Sequence, residues 1–66
     1  GGELAALSRR EREVAEAVAA GASNKDVARQ LGITERTVKA HLSTIFDKLG
    51  VKDRLQLAVR IIALRK

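Results

Sequence analysis

Apolar residues recur along this chain at helical rather than strand spacing, and glycines at positions 21, 32 and 50 divide them into blocks. Drawn at about 100° per residue, Val14, Ala17 and Val18 form one stripe. Val27, Ala28 and Leu31 form a second. Val38, Leu42, Ile45 and Leu49 form a third, with Phe46 at its edge. A polar cap precedes each block. Ser8 stands three residues before Glu11, Ser23 three before Asp26, and Asp53 three before Gln56, while Thr34 opens the longest block. At Ser8 and Asp53 the spacing lets the third residue reach back to the cap, and behind Ser23 the acid adds a favourable charge to the first turn. The pattern predicts four helices, about 9–20, 24–31, 35–49 and 54–64, and no strand. Only Ile33 lies between Gly32 and the cap Thr34. A short helix, a glycine turn and a longer helix make a helix-turn-helix, so the expected fold is all-α, a compact four-helix domain with a central helix-turn-helix. Ile33 is expected to plug the crevice between the two helices, Ala28 to let their backbones approach, and Val51 to fold back on Leu49 beyond the Gly50 cap. Leu7 is placed to staple onto the Arg12 stem or Val14. Residues 1–6 read as a linker or cloning remnant and residues 7–66 as the domain.

The last helix is too apolar for a terminal position. Leu55, Ala58, Val59 and Ile62 make one stripe, expected to face the core. Leu57, Ile61 and Leu64 make a second, turned away by roughly a third of the circumference. Three other helices bury one stripe, so the second needs another owner. A symmetric helix-to-helix dimer contact through Leu57, Ile61 and Leu64 is the expectation. A neighbouring domain or a deeper groove is the alternative.

Composition narrows the function classes. Sixty-six residues make one small domain with a small core, marginal in stability unless a partner adds buried surface. With no Cys and one His, there is no disulfide framework, thiolate nucleophile, zinc finger or multi-His site. No cofactor is implied and no enzyme is expected, since His41 lies on a helix without a nucleophile partner. No apolar run approaches membrane-spanning length, and a reducing, cytoplasmic setting fits. The net charge of +5 is unevenly placed. Residues 1–33 hold five basic and five acidic groups, and residues 34–66 hold eight basic and three acidic. A basic half on a tiny domain suits a polyanion, most simply nucleic acid. Phe46 is the only aromatic residue, which argues against the base-stacking platforms of single-strand and RNA binders.

The face of helix 35–49 opposite its apolar stripe carries Arg36, Lys39, Ala40, Ser43 and Asp47. Two cations, a methyl and a hydroxyl, with no bulky hydrophobe, form a surface that can press into the major groove of DNA. An ordinary solvated face is the plainer alternative for any single helix. Arg36 has the fork for a bidentate guanine contact or, near the helix start, takes a phosphate instead, and Lys39 is a point charge for guanine or phosphate. Ala40 offers its methyl to thymine. Thr37, Thr44 and Lys48 flank the face where phosphates pass. Asp47 would repel phosphate, so that end is expected to tilt away. Lys25, in the first turn of its helix, can reach a phosphate while free amides there accept the same anion.

LSRREREV (Leu7–Val14), GASNKDVARQLGI (Gly21–Ile33), TERTVKAHLSTIFDKLGV (Thr34–Val51) and the later Arg54, Ala58 and Val59 together resemble the LuxR-type helix-turn-helix domain. That is the C-terminal output module of NarL/FixJ-type response regulators, which belong to two-component systems, and of quorum-sensing regulators. The likeness runs from residue 7 to about 62 with matching spacings. It implies sequence-specific double-stranded DNA binding in a bacterial transcription regulator, as a homodimer joined by the last helix, on a roughly palindromic operator. RNA polymerase is a further possible partner. The resemblance implies that Arg36, Lys39 and Ala40 face the major groove and that Asn24, Lys25, Thr37 and Ser43 lie near the backbone or groove. With the helix geometry, base contacts are expected from Arg36, Lys39, Ala40 and Ser43, and backbone contacts from Asn24, Lys25, Thr34, Thr37, Thr44 and Lys48. Glu11 and Arg54 both belong to the family pattern and are expected to pair between the first and last helices. A protein-docking module using the apolar last helix is the rival class. A basic helix lying on an anionic membrane is a third, but it lacks the Trp/Phe-rich apolar face that membrane binding needs.

Overall fold

The computed structural model describes residues 2–65. Its helices are α1 (Gly2–Ala5), α2 (Arg9–Ala19), α3 (Asn24–Leu31), α4 (Glu35–Leu49) and α5 (Arg54–Leu64). No strand occurs among the described residues. The four predicted helices are present with ends within a residue of expectation. The added element is the single turn of α1, too short to show a period. Behind it, the Leu7 amide donates to the Leu4 carbonyl at 3.2 Å and Arg12 Nη2 to the same carbonyl at 3.1 Å. Leu4 packs partly against the core and Leu7 is buried.

The caps explain why the helices start where they do. Ser8 Oγ accepts from the Glu11 amide at 3.2 Å while the Ser8 amide donates to Glu11 Oε1 at 2.8 Å. Ser23 and Asp26 repeat the arrangement at 3.1 and 3.4 Å. Each box satisfies two amides that the helix itself leaves unpaired. Asp53 accepts from the Gln56 amide at 2.8 Å, but Gln56 Oε1 reaches past the cap to the Lys52 amide, also at 2.8 Å. At the other ends, Gly32 and Gly50 adopt φ of 68° and 66°, a left-handed turn that costs a side-chain-bearing residue more. The next residue then closes each helix: Ile33 N to Ala28 O at 3.0 Å, and Val51 N to Phe46 O at 3.1 Å. That geometry drops Ile33 between α3 and α4 and lays Val51 against the core beside Leu49.

α5 packs along α2, α3 against α4, and α2 bridges to α4. The core draws Val14, Ala15 and Val18 from α2, Val27 and Ala28 from α3, and Val38, Leu42, Ile45 and Leu49 from α4. The expected face of α5 is corrected. Leu57 and Ile61 are fully buried at 0 % exposure, with Leu64 half-buried beside them, so the first two cannot meet a second molecule. Leu55, Val59 and Ile62 instead point outward, 74, 59 and 47 % exposed. The two stripes are nearly equal in hydrophobicity, and polar side chains decide between them. Arg54 and Arg60 flank the Leu57 stripe by about 60° on either side, and with that stripe turned inward both donate to acceptors on the body of the protein. Arg60 Nη1 donates to the Leu49 carbonyl at the end of α4, 3.1 Å away. Arg54 grips the turn between α2 and α3. Arg65 Nη2 closes the far end on Glu16 Oε1 at 2.8 Å.

The expected Glu11–Arg54 pair is also corrected. Glu11 Oε1 takes the Lys48 ammonium at 2.8 Å, tying the start of α2 to the end of α4. Arg54 Nη1 donates to Asn24 Oδ1 at 2.6 Å and Nη2 to the Ala22 carbonyl. Both residues link helices, but each to a different neighbour.

Candidate nucleic-acid interface

α4 presents one polar face because its other face is fully committed. Val38, Leu42, Ile45 and Leu49 are buried. At helical spacing this leaves Arg36, Lys39, Ala40, Ser43 and Asp47 on the opposite side, and all five are exposed. The side chains of Arg36 and Lys39 make no hydrogen bond or ion pair with the described residues. Two cations one turn apart, with a methyl and a hydroxyl beside them, form a surface free to act on something outside the molecule.

The edges of this face are more occupied than the sequence suggested. Thr34 Oγ1 accepts from the Thr37 amide at 3.1 Å, and the two threonine hydroxyls share a bond at 2.9 Å. One hydroxyl hydrogen of the pair therefore stays available. Thr44 donates its hydroxyl to the Ala40 carbonyl at 3.3 Å, which leaves it an acceptor where a phosphate needs a donor. Lys48, expected to contact the DNA backbone, also pairs with Glu11; the two side chains are 36 and 11 % exposed. The Lys48 hydrogen bond, then the Ser8 amide, hold the Glu11 carboxyl below the usual carboxylate range.

α3 lies against α4, with exposed Lys25 in its first turn. The Ser23–Asp26 box consumes the Asp26 amide, while the amides of Asn24 and Lys25 have no intrahelical acceptor. Asn24 is half-buried, and its oxygen is taken by Arg54. His41 is half-buried at the border of the two α4 faces.

Among the described cations of the basic half, four are bound internally, and exposed Lys52 lies beyond the end of α4. Lys48, Arg54, Arg60 and Arg65 are bound internally, to Glu11, to Asn24 and Ala22, to the Leu49 carbonyl and to Glu16. Arg36 and Lys39 remain on the outward face. On α2, Arg10 turns to Glu13 at 3.7 Å and to the Leu31 carbonyl at 3.4 Å, so its place near a helix start serves packing onto α3. Among the described residues no group of three or more His, Cys, Asp or Glu is placed to hold a metal ion. No helix among the described residues is long and apolar enough to cross a membrane.

Sequence reasoning missed two features of this region. Pairing of Lys48 with Glu11 joins residues 37 apart, and no local spacing signals it. The Arg54 contact with Asn24 is equally non-local. Periodicity did expose the outward stripe of α5, though not which stripe it was.

Comparison with known proteins agrees with the geometry. The chain is 48 % identical over 54 residues to the CsgBAC operon transcriptional regulatory protein of Escherichia coli K12, covering 82 % of this chain and 25 % of that protein. It is 49 % identical over 57 residues to the transcriptional regulatory protein LnrK of Bacillus subtilis 168, covering 86 and 26 %. Against the transcriptional regulatory protein UhpA of Escherichia coli K12 the identity is 42 % over 55 residues, covering 83 and 28 %. The chain thus spans about a quarter of the length of these relatives. The GerE family model, described as "Bacterial regulatory proteins, luxR family", matches residues 5–61, and the chain belongs to that family.

Proposed function

We propose that this domain binds double-stranded DNA sequence-specifically as the output module of a bacterial transcription regulator, with α4 in the major groove. The observation that carries the reading is the division of α4. One face is sealed in the core and the other bears Arg36 and Lys39 exposed and unengaged. Arg36, Lys39, Ala40 and Ser43 read base edges, Arg36 by its fork and Ala40 by its methyl. Lys25, Asn24, Thr34 and Thr37 meet the phosphates on the α3 side and fix the register. Thr44 contributes little, because its one donor is spent on the Ala40 carbonyl, while Lys48 meets a phosphate with the donors that its bond to Glu11 leaves free. The relatives are named as transcriptional regulators, and such a protein works where the DNA is, in the cytoplasm.

Two copies pair through the outer face of α5, with Leu55, Val59 and Ile62 from each helix meeting across a two-fold axis. Leu55, Val59 and Ile62 lie one turn apart in a continuous stripe, the form a self-complementary helix contact requires. A two-fold pair of recognition helices reads a roughly palindromic site.

The direct test titrates the chain against a pool of random duplexes at two salt concentrations, beside Lys39→Ala. A short, roughly palindromic site is enriched, binding weakens steeply with salt, and Lys39→Ala relaxes one base position at a cost of about 1–3 kcal/mol. Equal binding to all duplexes, unchanged by Lys39→Ala, would remove α4 as a recognition helix. It would turn attention to protein docking on α5, a contact that survives salt.

A further inference from the structure

We propose that Arg54 is a positioning residue for DNA binding: from α5 it holds the Asn24 amide so that only its NH2 group faces a phosphate. This inference rests on the reading above that the start of α3 meets the DNA backbone. Arg54 Nη1 lies 2.6 Å from Asn24 Oδ1, and Nη2 donates to the Ala22 carbonyl. A guanidinium has donors and no acceptor, so the amide atom it faces must be the oxygen. An asparagine without that partner rotates about its last torsion between two orientations. One of them turns the carbonyl oxygen outward, where it repels a phosphate.

The same guanidinium grips the chain on both sides of the α3 cap. Ala22 precedes the cap Ser23 and Asn24 follows it. The planar fork serves two acceptors at once, which a lysine ammonium on a flexible stem does not reproduce. Arg54 is half-buried and Asn24 is half-buried, so the contact is sheltered while the amide edge stays within reach of solvent. Lys25, the next residue, is exposed. Donor amide and cation then stand side by side at the head of α3. The helix that carries the proposed dimer face thus also sets a contact of the DNA face.

The test uses a duplex selected from a random pool by the wild-type chain. Affinity is measured across salt concentrations for wild type, Asn24→Ala, Arg54→Met and the double variant, with a thermal melt of each. Asn24→Ala and Arg54→Met each lose about tenfold in affinity, the worth of one hydrogen bond to a charged group. The double variant loses no more than the weaker-binding single variant, because Arg54 acts through Asn24. The salt slope stays at the wild-type value, since neither group neutralises a phosphate. A double variant that loses about a hundredfold, the product of the two singles, overturns the proposal. So does a slope shallower by about 0.9 in Arg54→Met, which would mean that Arg54 itself pairs with a phosphate. Asn24→Asp covers the case in which Arg54→Met does not fold. It keeps the acceptor for Arg54 and replaces the donor with an oxygen, so it folds and binds DNA more weakly than Asn24→Ala. Wild-type affinity in Asn24→Asp overturns the proposal. If Asn24→Ala binds as wild type while Lys39→Ala is weakened, the Asn24 contact fails and the α4 reading stands. If the wild-type chain selects no site, both fail.

Discussion

At Glu11 one carboxylate oxygen accepts from the Ser8 amide and from the Lys48 ammonium, both at 2.8 Å. The first bond starts α2 and the second reaches the last turn of α4, so a local cap and a long-range tie share one atom. Both favour the ionised form and hold the Glu11 carboxyl below its ordinary value of 4.5, the Lys48 bond most strongly. A carboxyl whose folded pKa is depressed binds fewer protons folded than unfolded. Its contribution is therefore complete above the unfolded pKa and is lost as pH falls through the folded one. Glu11→Gln keeps the shape and an acceptor but removes the charge. Its thermal midpoint lies below that of wild type at neutral pH, and the gap narrows as pH drops below about 4. Circular-dichroism melts at pH 7 and pH 3 read this directly; a gap unchanged at pH 3 would mean the charge of Glu11 contributes nothing. Lys48 makes the same point from the cation's side. Its place at the edge of the outward face of α4 suggests a phosphate ligand, and the acid across the fold gives it a second, internal partner.

Among the elements, α5 separates two roles along one helix. Leu57 and Ile61 belong to the core, while Leu55, Val59 and Ile62 lie outside it. Ile61→Ala should cost about 2–5 kcal/mol of folding stability, as deletions in close-packed cores do. Val59→Glu should leave folding within about 0.5 kcal/mol yet return the chain to a monomer on DNA. Urea unfolding and sedimentation with duplex distinguish the two, and a Val59→Glu protein that still loads two copies per site removes α5 as the dimer contact. The ends of α2, α3 and α4 were legible because each is bracketed by side chains that act within a turn: Ser8 with Glu11, Ser23 with Asp26, Thr34, and the glycines at 32 and 50. Their buried faces were legible because one stripe in each is plainly apolar. α5 has two such stripes, and what orients it, Arg54 on Ala22 and Asn24 and Arg60 on Leu49, acts across the fold. The outward face of α4 was readable from Val38, Leu42, Ile45 and Leu49, whose burial leaves Arg36 and Lys39 outside. Which cations remain free was not readable, because Lys48 and Arg65 find acids on α2.

For the molecule as a whole, size and charge act together. A chain of 66 residues buries too little apolar surface for a wide margin of stability. Its net charge of +5 adds self-repulsion, which the internal pairs of Lys48 and Arg65 reduce, while Arg36, Lys39 and Lys25 are among the cations kept at the surface. On the proposed reading those charges are neutralised by DNA, which couples ligand and fold. A duplex that binds only the folded chain adds about 2.7 kcal/mol when present at about a hundred times its Kd. For a domain this small, that corresponds to a rise of roughly 10–20 °C in the melting midpoint. The rise should be largest with the selected duplex, smaller with a scrambled one of equal length, and should shrink for both as salt is raised, because part of the binding is counterion release. Thermal scans with the two duplexes at two salt concentrations measure all of this on the intact chain. A rise equal for both duplexes, and abolished together by salt, would mean that the positive surface holds DNA without reading it. A rise specific to the selected duplex that Lys39→Ala reduces ties stability, charge and sequence reading to the same face of α4.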